Sequence, residues 1–151
     1  MIPPLRDNDA AAPMYVGFLA ELRLRGFEGD VASTAGDRTV FPTDNSIYQV
    51  TPQAIVFPRN ATDVVRIAKL ASEPRFATIV LAPRGGGTGT NGQSLTDGII
   101  VDLSRHMNRI LEVNAEEKWA WVEAGVVKDQ LNAAVEHHGL FFAPELSPSN
   151  R

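Results

Sequence analysis

Leu81-Ala-Pro-Arg-Gly-Gly-Gly-Thr-Gly-Thr-Asn-Gly92 follows the apolar run Thr78-Ile-Val-Leu81, and five of its twelve residues are glycine. Glycine in an ordered element costs chain entropy, so this density needs a reason: a tight turn, or a backbone that something must approach closely. Gly87-Thr-Gly-Thr-Asn-Gly92 satisfies G-x-G-x-x-G, but that fingerprint works only where the loop opens a helix aimed at a pyrophosphate. Only the five residues 93–97 lie between the loop and Gly98, where the next apolar run begins. They cannot hold a crossover helix. Gly92-Gln-Ser94 also lacks the lysine that a P-loop uses to neutralise phosphates. What remains is a strand–glycine loop–strand cradle, in which successive backbone N–H groups form a concave anion site. Thr88, Thr90 and Asn91 add side-chain donors, and Arg84 adds a positive charge at the entrance. The bland alternative is a glycine-rich turn that binds nothing, for which two or three glycines suffice.

Outward from the loop, the pattern alternates strands and helices. Residues 54–57, 78–82 and 98–103 are short continuous apolar runs, as expected for strands covered on both faces. Residues 13–25 place Met14, Phe18, Leu19 and Leu22 at helical spacing, with Gly26 as the stop. Asn60 reads as an N-cap for a helix over 62–72 carrying Val64, Val65, Ile67, Ala68 and Ala71. Residues 26–53 show no clear period. After Asn108 the texture changes: 110–113 and 119–122 read as a hairpin around the five residues 114–118. A helix follows over 127–138, with Leu131, Ala134 and Val135 on one face and Gly139 as its stop. Trp119 and Trp121 share a strand face by the two-residue period, and packing in a core is their expected role.

The chain has 151 residues, 44% of them hydrophobic and 21% charged, with a formal net charge of −4. That balance suits a globular domain and argues against nucleic acid as the main partner. There is no cysteine, so these residues hold no disulfide, thiolate nucleophile or cysteine-ligated metal. Residues 1–13 lack the charged and apolar regions of a signal peptide, and no apolar run approaches the ~20 residues of a membrane span. A cytoplasmic location is the default expectation, with peripheral membrane contact open. His106 reads as a satisfied loop histidine. His137 and His138 read as favourable charges at a helix C-terminus rather than metal ligands.

The glycine loop from Pro83 to Gly92 resembles the pyrophosphate loop of FAD-linked oxidases of the vanillyl-alcohol oxidase and p-cresol methylhydroxylase (PCMH) type. The likeness extends through Thr43-Asp-Asn-Ser-Ile-Tyr48, Ala54-Ile-Val-Phe-Pro58, Thr62-Asp-Val-Val65, Gly98-Ile-Ile-Val-Asp-Leu-Ser104, Val122-Glu-Ala-Gly-Val126 and Phe142-Ala-Pro-Glu-Leu-Ser147. Within the family it is most similar to the large D-2-hydroxyacid dehydrogenases of the D-2-hydroxyglutarate and D-lactate class that carry a C-terminal iron–sulfur region.

The resemblance implies an α+β (α/β) fold: the N-terminal subdomain of a PCMH-type FAD-binding domain, with a small parallel sheet, flanking helices and an antiparallel hairpin. Residues 1–42 would be a lead and helix, and 43–151 the first half of that domain. The second half, the substrate domain and any iron–sulfur ligands would lie beyond Arg151, with an apolar face and self-association expected of this part alone. The implied cofactor contacts are Pro83, Arg84, Gly85, Gly86, Gly87, Thr88, Gly89, Thr90, Asn91 and Gly92 at the diphosphate. Pro144, Glu145, Leu146, Ser147 and Asn150 would lie near the flavin. The loop has no histidine, so FAD would be held non-covalently. The implied partner is a 2-hydroxy acid substrate, with the electron acceptor unspecified. Asp44 and Tyr48 match family positions, where a structural role is expected. A second class stays open on the residues alone: a non-catalytic α/β module that binds a nucleotide or a protein.

Overall fold

A proline opens the first helix, α1 (Pro13–Leu24), where its missing N–H costs nothing, and the chain leaves through Gly26 at φ 79°. The computed structural model describes residues 10–144 and 150. Phe18, Leu19 and Leu22 are the buried face of α1, whereas Met14 is 44% exposed. The aperiodic stretch after it holds two short elements: β1 (Asp30–Ala32) and a single helical turn, α2 (Ala35–Arg38). Thr34 caps α2 with Asp37 in a reciprocal capping box.

Strand β2 (Ala54–Phe57) leads to α3 (Ala61–Ala71), where the Asn60 side chain accepts from the Asp63 N–H. The inward face of α3 is Asp63, Ile67 and Leu70; Val65, expected inside, is 48% exposed. Strand β3 (Leu81–Arg84) and β4 (Ile99–Asp102) complete a four-stranded sheet of order β1-β2-β4-β3. β2, β4 and β3 run parallel, and β1 adds antiparallel to β2, so the sheet is mixed. Strand β3 starts three residues later than the apolar run implies, because Pro74–Phe76 forms a tight turn that holds Ile79 N–H on the Phe76 carbonyl.

The central strands are buried on both faces, as their continuous apolar sequence requires. Ala54, Val56, Ile99 and Val101 pack under α1 and α3, while Ile55, Phe57 and Ile100 face Ala32 and Phe41 on the other side. Each valine, isoleucine or phenylalanine among them contributes ~1.5–3 kcal/mol by leaving water. β3 departs from the expectation. It is an edge strand of intermediate burial with Pro83 exposed. Its ladder to β4 uses the Val80 and Arg84 carbonyls, so the backbone at Leu81 and Pro83 turns outward. Only an edge tolerates proline there, since the ring removes a ladder donor.

β5 (Ile110–Asn114) and β6 (Trp119–Val122) form a separate antiparallel pair with a bulge near Ile110. Its tip is closed by Lys118 at φ 59° and by the Trp119 indole N–H on Glu117 Oε2 at 2.7 Å. The tryptophans do share a face, but not in a core: Trp119 is 39% and Trp121 66% exposed. Period two fixes which residues share a face, and not which face is covered. Helix α4 (Lys128–Val135) follows, tightens into a further turn over Glu136–His138, and ends at Gly139, φ 66°.

Candidate functional site

β3 and β4 are adjacent and parallel, so the chain must travel back along a strand's length between them. The fourteen residues 85–98 do this without a helix. Their local order comes from glycine and from side chains folded onto the backbone. Gly87 sits at φ 64° and Gly92 at φ 76°, conformations that other residues rarely adopt. Gln93 Oε1 accepts the Asn91 N–H at 3.0 Å, and the Leu95 N–H closes on the Gly92 carbonyl. The return ends at Gly98, whose own Cβ would stand 2.2 Å from the Val80 carbonyl oxygen. No larger residue fits where β3 and β4 come together.

The loop wraps a concavity of about 390 Å³ lined by Pro83, the loop residues 85–89, Gln93 and Ser94. Of the expected contacts, Pro83, Gly85, Gly86, Gly87, Thr88 and Gly89 therefore come together around one space. Thr90, Asn91 and Gly92 are outside that lining, and the Asn91 N–H is already spent on Gln93. Gln93 and Ser94 also line the space, although sequence reasoning weighed them only as positions of a P-loop match that fails. Pro144 and Asn150 are exposed and do not line the space. Glu145, Leu146 and Ser147 lie outside the described residues.

Arg84 is placed differently from a plain entrance charge. Its guanidinium folds against the loop: Nη2 donates to the Thr43 carbonyl at 2.9 Å, and the group lies 5.6 Å from the Phe41 ring centroid. Its Nη1 is buried with no hydrogen-bond partner. A buried donor without an acceptor costs about 1–3 kcal/mol, more when charged. Beside it, the backbone N–H groups of residues 86–90 donate to no acceptor among the described residues. Arg84 itself does not line the concavity; its guanidinium packs behind Gly87, and a cation behind amides that have no acceptor is the donor chemistry that an anion with several oxygens calls for. The donor set fits a diphosphate.

Asp44 is the opposing charge. It accepts the Ser46 N–H at 2.8 Å and the Ser94 hydroxyl at 3.2 Å. Hydrogen bonding from Ser46 first, then Ser94 and the nearby Arg84 charge hold its carboxyl below the usual range against a desolvation cost. Elsewhere, His106 Nε2 lies 2.7 Å from Asp30 Oδ2, so that ring has a structural partner across the sheet. Among the described residues, no helix is long and apolar enough to cross a membrane.

Comparisons with known proteins give the family and the fold. The sequence pattern of an FAD binding domain matches residues 52–150. The D-2-hydroxyglutarate dehydrogenase of Pseudomonas putida is 65% identical over 142 residues, covering 94% of this chain and 14% of that relative. The chain thus spans a small part of the length of the curated relatives it matches. Among solved structures, alkyldihydroxyacetonephosphate synthase superposes with TM-score 0.77 at 20% identity, over 98% of this chain and 33% of that one. p-Cresol methylhydroxylase gives TM-score 0.69 at 17% identity, over 93% and 28%. At those identities the two structures speak to the fold: that of the PCMH-type oxidases.

Proposed function

Because the chain belongs to the FAD binding domain family, we propose that loop 85–92, with Arg84, holds the FAD diphosphate in a flavoprotein that oxidises a D-2-hydroxy acid. The observation that carries the assignment is the glycine-lined concavity, where the N–H groups of residues 86–89 have no acceptor among the described residues and the Arg84 guanidinium, its Nη1 also without a partner, packs behind Gly87. Supporting it, the strand–loop–strand route leaves no helix to compete for the same space. FAD supplies the hydride-accepting ring; the work of these residues is to bind and orient it. The loop amides and Arg84 take the negative charge, and the hydrogen-bonded β3–β4 pair fixes where the loop starts and ends. Pro144, Glu145, Leu146, Ser147 and Asn150 are proposed nearer the ring.

The substrate class rests on the name of the P. putida relative, and D-2-hydroxyglutarate is the first choice. No residue of this chain is assigned a proton-transfer step, and none is a cysteine, so iron–sulfur ligands would come from outside these residues. With no histidine in the loop, the flavin is held without a covalent bond. A non-catalytic module finds no support in the family match.

The test is flavin retention. The complete protein that the gene encodes is purified with and without Gly86→Asp, precipitated with acid, and the flavin in the supernatant measured. The proposal expects stoichiometric free FAD from the wild type and none from the variant, because the new carboxylate occupies the anion's place. A variant that keeps its FAD would remove the loop from the site.

A further inference from the structure

The turn 42–50 lies upstream of the family match, which begins at residue 52. Yet it touches both limbs of the glycine loop. On the incoming limb, Arg84 Nη2 donates to the Thr43 carbonyl across 41 residues of sequence. On the returning limb, the Ser94 hydroxyl donates to Asp44 Oδ2 across 50 residues. Between these ties, a Cβ at Gly89 would stand 3.5 Å from Asp44 Oδ2, and one at Gly92 3.2 Å from the Tyr48 ring.

The turn is also closed on itself. Thr43 bridges Gln49, and the Val50 N–H donates to the Pro42 carbonyl. Inside it the Ser46 N–H donates to Asp44 Oδ1, and the Tyr48 N–H to Ser46 Oγ. Phe41, packed edge-on to Phe57 at 5.8 Å, roots it on the sheet. It is a preformed body pressed on a loop that has little structure of its own. A loop rich in glycine pays a large ordering cost on binding, and whatever fixes it beforehand reduces that cost.

We propose that Asp44 is a positioning residue for the cofactor: through Ser94 it fixes the returning limb of the glycine loop in its binding shape. The proposal rests on the FAD reading above. It makes a prediction opposite in sign to simple charge. Removing a carboxylate near an anion site should tighten anion binding if the carboxylate acts through space. If Asp44 acts by holding Ser94, its removal loosens binding, and charge relief does not compensate.

The experiment is a double-mutant cycle on the complete protein that the gene encodes, reading FAD dissociation by the recovery of flavin fluorescence. Asp44→Ala is expected to weaken FAD about 10- to 100-fold, the range of one hydrogen bond to a charged group. Ser94→Ala is expected to weaken it by a similar factor, and the double variant by no more than Asp44→Ala alone. Asp44→Asn, which keeps an acceptor oxygen, is expected to fall between wild type and Asp44→Ala. The urea stability of the flavin-free protein falls by less than the loss in FAD binding free energy, which separates positioning from simple loss of folding. Unchanged or tighter FAD binding in Asp44→Ala would overturn the proposal, as would additive losses or an equal fall in flavin-free stability. A wild-type protein that bound no FAD would instead overturn the FAD reading itself.

Discussion

The Arg84 guanidinium occupies the space that a side chain on residue 87 would need: a Cβ built on Gly87 falls 2.3 Å from Arg84 Nη2. Residue 87 is therefore glycine for two reasons, its φ of 64° and the arginine lying over it. Gly87→Ala must strain the backbone and push Arg84 off the Thr43 carbonyl. FAD affinity is expected to fall at least about tenfold, on the scale of one strained residue. Gly85 is the control, because its Cβ would meet nothing within 4 Å. Gly85→Ala should keep wild-type stability without flavin yet bind FAD more weakly, since the new methyl enters the concavity. Equal FAD affinity in Gly85→Ala would mean that the open space is not where the ligand sits.

Gly98 tests the sheet rather than the site. A methyl there would lie 2.2 Å from the Val80 carbonyl oxygen, and backbone cannot move aside as a long side chain can. Gly98→Ala is expected to cost about 1–3 kcal/mol in urea unfolding, the usual range for overpacking. A variant with the wild-type midpoint would contradict the close approach of β3 and β4.

Asp63 is a buried carboxylate whose function is structural. It is fully buried and accepts from the Glu28 N–H at 3.1 Å, the Arg59 N–H at 3.0 Å and Arg66 Nη1 at 2.9 Å. It thereby ties the start of α3 to the turns before β1 and after β2. Asp63→Ala strands the Glu28 and Arg59 backbone donors and leaves Arg66 only its longer contact to Glu28, at an expected cost of about 2–3 kcal/mol. A loss below ~1 kcal/mol in the same measurement would show the hub to be dispensable.

These examples also show what the sequence makes legible. β2 and β4 announce themselves, because a strand buried on both faces is apolar throughout. The glycine loop is visible for the converse reason: too much glycine, and too few residues after it for a helix. β1 is three residues with a charge at its head, and α2 a single turn, so neither has room for a period. The exposure of Trp119 and Trp121 is invisible to alternation. Arg84 could be named from its place beside the glycines, but not its partner. Thr43 and Asp44 reach the loop across 41 and 50 residues, and contacts of that range leave no local pattern.

The hairpin offers a pH test. Arg109 donates to Glu123 through its N–H and its guanidinium, at 2.9, 3.1 and 2.7 Å, and the Glu123 side chain is 8% exposed. The Arg109 side chain is the main cause of a Glu123 pKa below its ordinary 4.5. A carboxyl with a depressed folded pKa gives stability that is present above the unfolded value and lost as pH falls through the folded one. Wild type should therefore exceed Glu123→Gln in urea stability at pH 7, with the gap closing as the pH drops below 4.5. A gap that stayed constant down to acid pH would detach it from this ion pair.

Pro83 stands at the outward-facing position of the β3 margin, two residues from the glycines that are proposed to bind the cofactor. A free strand edge invites recruitment by other polypeptides, since its bare amides and carbonyls are a ready template for further strands. Here the template is broken at its third residue, where there is no amide to offer. The residue that delivers the chain into its glycine loop also removes one of the amides by which another strand could pair with that edge.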